Sequence, residues 1–204
     1  MDLREAMTQI SEIRATMARA ETFRGYRAVP VAFSGLLALA AAGFQAIWLT
    51  EPLVRVDEYL ALWVGAAVLS AVACGSEMVL HARLAATRWS REITWLAIEQ
   101  FLPCLAAGGF VTVVLVRFAP ETLWMLPGLW QVLFSLGIFA SCRLLPRATF
   151  GVALFYLAAG LASLAFARGE AALSPWAMGL PFGVGQLLTA LVLYRTLECR
   201  DVER

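Results

Sequence analysis

The sequence predicts an all-α polytopic membrane protein, a bundle of six transmembrane helices with a cytoplasmic amphipathic N-terminal helix. Three observations carry that expectation. First, 61% of the 204 residues are hydrophobic, against about 45–50% in soluble domains. A soluble fold of this size has no interior large enough to hide so much apolar surface, so much of it must face lipid. Second, charged residues make up 15% of the chain, against about 25% in soluble proteins. They gather in short segments between six apolar runs of roughly twenty residues, the length that crosses about 30 Å of hydrocarbon. Third, the arginines favour one side of the predicted membrane. With the N-terminus inside, only Arg55, Arg117 and Arg168 of the sixteen basic residues fall outside, which is a strong positive-inside bias.

Residues 1–27 are polar with a helical pattern. Leu3, Met7, Ile10, Ile13, Met17 and Ala20 recur at steps of three and four, giving one apolar stripe. A secretory signal would have a short basic region before an apolar core of 7–15 residues. This stretch instead predicts an amphipathic helix that lies on the membrane or docks on a partner. The partner would be a cytosolic protein or a second copy of the chain, engaged through residues 1–20; packing on the protein's own cytoplasmic loops is the alternative.

Residues 28–196 form the predicted membrane domain. Span 1, Val29–Leu49, has Pro30 in its first turn, where a missing N–H costs little. Ser34, Ala38 and Ala42 are spaced by four and make a small-residue face for close helix approach. Span 2, Tyr59–Leu80, carries Ser70, Cys74, Glu77 and His81 on one face. Span 3, Ile93–Val116, contains Pro103, which predicts a kink. Span 4 is Leu123–Cys142 and span 5 is Ala148–Ala167. Span 6, Pro175–Tyr194, opens on Ser174 and Pro175, a cap and first-turn pair. Its middle, GLPFGVGQ, marks Gly179, Pro181 and Gly183 as a candidate helix break. Residues 197–204 are a cytoplasmic tail. Trp48, Tyr59, Trp63, Trp124 and Trp176 near one interface, and Tyr26, Trp89, Trp95 and Tyr194 near the other, fit aromatic belts.

The candidate polar site is Cys74, Glu77, His81, Glu99 and Gln100, at the cytoplasmic end of the hairpin formed by spans 2 and 3. An ionisable side chain at the centre of a bilayer costs about 2.5–3.5 kcal/mol on insertion scales, so one that persists points to function. Measured from Ile93, Glu99 lies roughly 10 Å deep, and Glu77 about 6 Å below His81. Three arrangements fit: pairing with Arg83, Arg88 or Arg91; protruding helices with wet carboxylates; or a polar site for a proton, ion or small solute. Histidine with carboxylate also suits a divalent metal, although the expectation assigns neither metal nor cofactor. Gln45, Gln131 and Gln186 are expected to hydrogen-bond between helices.

Several function classes are excluded. A net charge of +1 gives no electrostatic basis for nucleic-acid binding. The single histidine, His81, cannot supply a bis-His haem within one chain. No HExxH, GxGxxG or GxxxxGK[ST] motif occurs, no serine stands in a GxSxG setting, and no catalytic residue is assigned. Cys74, Cys104, Cys142 and Cys199 form no CxxC and no disulfide framework. All basic residues are arginine, a codon-usage sign of a bacterial source and so of the bacterial inner membrane. The function expected is transport or binding of an ion or small solute; the alternative is a sensor or partner subunit acting through its N-terminal helix.

Overall fold

The computed structural model describes residues 28–84, 88–142 and 145–198. The expected amphipathic helix over residues 1–27 and the tail from residue 199 lie outside the described residues. Six main helices follow one another: α1 (Ala28–Trp48), α2 (Val56–Leu84), α3 (Arg88–Phe118), α4 (Leu126–Ser141), α5 (Thr149–Phe166) and α6 (Pro175–Leu193). A 3-10 turn over Pro120–Met125 leads into α4, and another over Gly169–Ala171 precedes α6. Six segments are long and apolar enough to cross a membrane, so the protein is an all-α, multi-pass membrane protein.

Each helix packs on its neighbours in the chain, and α1 closes the ring against α6. The α1–α6 contact is the most extensive and α4–α5 the next; α2–α3 is the sparsest joint of the ring. Small residues explain this order. A Cβ on Gly35 would lie 3.0 Å from the Gly183 carbonyl oxygen. One on Gly183 would lie 2.6 Å from Leu39 Cγ, and one on Gly179 would collide with the Ala42 side chain. The expected face of Ser34, Ala38 and Ala42 is buried against α6. Across α4–α5, Gly128 and Gly160 each approach the other's carbonyl, at 2.8 Å from where a Cβ would stand. Backbones that come this close gain dispersion contacts along their length, which is what drives helix association in lipid.

The expected break in span 6 does not occur. Helix α6 is continuous through Pro181, because its glycines fit the surface of α1. At its start Ser174 caps the helix by accepting from the Ala177 N–H at 3.3 Å, with Pro175 in the first turn.

The longest helices are α2 and α3, with 29 and 31 residues. They measure about 43 and 46 Å at 1.5 Å per residue, well over the roughly 30 Å of a hydrocarbon core. Both helices bury few of their residues inside the protein. Large apolar side chains such as Val72, Phe110 and Phe118 are exposed, the pattern of a lipid-facing surface.

The α1–α6 contact yields a direct test. Gly179→Val should cost about 1–3 kcal/mol through overpacking, read as a lowered midpoint of thermal unfolding in mild detergent. Gly43 has nothing near its missing Cβ, so Gly43→Ala should change stability by less than about 0.5 kcal/mol.

Candidate functional site

The predicted site residues lie toward the end of the ring that holds the α2–α3 connection. Cys74 packs against Ala28, Val31, Ala190 and Leu193, at the meeting of α1 and α6. Its face of α2 therefore points into the bundle, and Glu77, one turn on, is half-buried. His81 lies on α2 with its side chain outside the described set. On α3 the inward stripe runs through Gln100, Phe101, Cys104, Ala107 and Gly108. Gln100 Oε1 is buried and has no hydrogen-bond partner among the described residues.

Glu99 departs from the expected site. It is exposed, on the opposite side of α3 from that stripe. The two glutamates thus occupy different surroundings, Glu77 on an inward face and Glu99 on an outward one. Among the described residues, no three His, Cys, Asp or Glu side chains come together in a way that could hold a metal ion.

The centre of the ring is aromatic. The Phe134 ring of α4 lies 5.3 Å from Phe101, 4.9 Å from Tyr156 and 5.5 Å from Phe182, each edge-on. One side chain thereby links α3, α4, α5 and α6. Tyr156 fills the space beside Gly185, where a Cβ would lie 2.5 Å from its Oη.

At the other end of the ring lies a second polar level. Trp63 Nε1 donates to Gln45 Oε1 at 2.8 Å, and Gln45 Nε2 donates to the Leu173 carbonyl at 2.7 Å. This chain ties α2 to α1 and α1 to the turn before α6. Gln131 Nε2 of α4 donates to the Ala177 carbonyl at 2.8 Å. Ala177 is four residues before Pro181, so its carbonyl is the one that the proline leaves without a helical N–H. Gln131 supplies the donor the proline cannot. Both glutamines are fully buried. Their hydrogen-bonding role was readable from a polar amide within an apolar run; their partners, two backbone carbonyls and for Gln45 also the Trp63 indole, were not. Tyr59 was read from sequence as an interfacial aromatic. In the structure it is buried, 1% exposed, in the cluster that holds Trp63, Leu173 and Met178. A periodicity reading could have found it, because Tyr59 and Trp63 are one turn apart.

Comparison with known proteins gives no match: no family model, no curated protein and no solved structure matches the chain.

The pairing of Gln131 with the proline-freed carbonyl predicts a suppressor. Gln131→Leu should destabilise the protein by about 1–3 kcal/mol, the cost of leaving a buried carbonyl unsatisfied. Adding Pro181→Ala restores an N–H within reach of Ala177 and should recover most of that loss. Thermal unfolding of the two single variants and the double variant in detergent measures the coupling.

Proposed function

We propose that this protein binds an ion or small solute and passes it through the ring of helices. One observation carries the reading: polar side chains face the interior at both ends, with the Phe134 aromatic cluster between them. On the cytoplasmic side these are Cys74, Glu77 and Gln100; on the other side they are Gln45, Tyr59, Trp63 and Gln131. Polar groups inside a membrane domain are costly, and inward-facing ones tend to mark solute or ion paths. The sparse α2–α3 joint supports the same reading, because a ring with one weak contact opens there at least cost.

Arginine placement supports a location in the bacterial inner membrane with both termini cytoplasmic. On that orientation Glu77 lies toward the cytoplasmic side, where its half-buried carboxylate favours cations. The stripe over residues 3–20 would add a docking element for a cytosolic protein or a second copy.

The test uses protons as the probe. Purified protein is reconstituted into lipid vesicles loaded with the pH dye pyranine, and the external pH is stepped. Proteoliposomes should equilibrate several-fold faster than protein-free vesicles. Glu77→Gln should slow that equilibration, while Glu99→Gln, on the outward face, should leave it near wild type. Phe134→Ala should speed it by opening the aromatic centre. If proteoliposomes equilibrate no faster than empty vesicles, for protons and then for potassium with a potassium-sensitive dye, the reading fails.

A further inference from the structure

Helix α3 turns polar groups away from the ring. Of the six candidate spans, the one in α3, Ile98–Phe118, buries the smallest share of its residues. Glu99 belongs to that span and is exposed. Its carboxyl makes no hydrogen bond or ion pair among the described residues. The backbone beside it lacks a bond as well. Pro103 has no N–H to give to the Glu99 carbonyl, and Pro103 is itself exposed on the same face, one turn on. An acid and a freed acceptor thus stand together on the outward face. Polar groups within a membrane span are costly, and they commonly find partners on another helix.

The same face continues as a seam. Glu99, Pro103, Ala106, Phe110 and Val113 follow one another at steps of four and three, and all five are exposed. That is the spacing along which two parallel helices meet. Arg117 extends the seam at the far end of α3, where a long side chain can turn aside into water. Beside the seam, Gly109 has nothing within 4 Å of where a Cβ would stand, which leaves room for a close neighbour.

We propose that the protein forms a two-fold dimer through α3, in which the Glu99 carboxyl of each copy donates to the Glu99 backbone carbonyl of the other. The hydrogen-bonding groups select a second copy as the occupant. Two copies inserted in the same sense present parallel α3 helices, and a two-fold axis beside Glu99 brings that residue to its own counterpart. A neutral carboxyl both donates and accepts, and lipid favours the neutral form because an uncompensated charge costs far more there. Each copy then offers one donor and one acceptor at the same level, and the symmetry satisfies both. A cationic helix of another protein would answer the carboxylate alone and leave the carbonyl unmet. The α2 face offers less. Gly65 and Gly75 are open there too, but the exposed Ser76 hydroxyl already donates to the Ala73 carbonyl. The dimer does not depend on the transport reading, because its face lies outside the ring.

The chain has no lysine, so amine-reactive dyes attach at the N-terminus alone. Full-length protein carrying donor or acceptor dye is mixed in detergent and reconstituted into lipid vesicles, and energy transfer is followed as lipid dilutes the protein. Wild type should show transfer above that of random proximity. Glu99→Leu and Pro103→Ala should each need about tenfold more protein per lipid for the same transfer. The second variant restores an N–H for the Glu99 carbonyl and leaves the acid untouched. Glu99→Gln keeps an N–H donor and should stay within about threefold of wild type. Gly151→Leu, at an open position on α5, should match wild type. The substituted positions face outward, so each variant should keep the wild-type unfolding midpoint in detergent or exceed it. Wild-type transfer no greater than random proximity overturns the proposal. Transfer unchanged by Glu99→Leu overturns it by assigning the contact to another face. Transfer lost in Glu99→Leu but kept in Pro103→Ala overturns it by leaving the carbonyl out of the contact.

Discussion

Inside a lipid bilayer every polar group that leaves water must find its partner within the protein, and this protein shows the rule at its most demanding point. Pro181 sits in the interior of α6, where it removes one helical hydrogen bond. In water the stranded Ala177 carbonyl would be solvated. In this bundle it is met by Gln131 from α4, at 2.8 Å. The proline and the glutamine are therefore one structural unit spread over two helices. Lesser cases follow the same logic. Ser34, Thr112, Ser135, Thr189 and Thr196 each return their hydroxyl to a carbonyl three or four residues back. Pro103 in α3 removes the helical partner of the Glu99 carbonyl in the same way, and Glu99 lies on the exposed side of its helix.

Close packing governs the rest. Apolar side chains gain little by leaving lipid for each other, so helices associate where their backbones can approach. Glycines occur at the crossings of α1 with α6 and of α4 with α5, and those are the tightest contacts. On α2, by contrast, Gly65 and Gly75 have nothing near them. The sparsest joint of the ring lies between α2 and α3, each of which is held more extensively by its other neighbour, α1 or α4.

The spans were legible in the sequence because twenty apolar residues have only one stable environment. Their order around the ring was not, because small-residue faces occur on nearly every span and only pairing decides which are used. The α1 face of Ser34, Ala38 and Ala42 was readable; its partner, Gly179 and Gly183, looked instead like a helix break. Glycine near proline carries both meanings, flexibility and close approach, and only a neighbouring helix separates them. Tyr59 is a second such case. An aromatic near a span end suggests an interfacial belt, while the structure seals it inside.

These placements bear on how charge could be handled within the ring. Glu99 lies on the outward face of α3. Glu77 is on the inward face one turn from Cys74, itself packed where α1 meets α6. Beyond the aromatics the polar groups are neutral, amides, an indole and a phenol, already tied in part to backbone carbonyls. The ring is therefore electrostatically asymmetric, with its inward-facing acid at the end that carries most of the arginines.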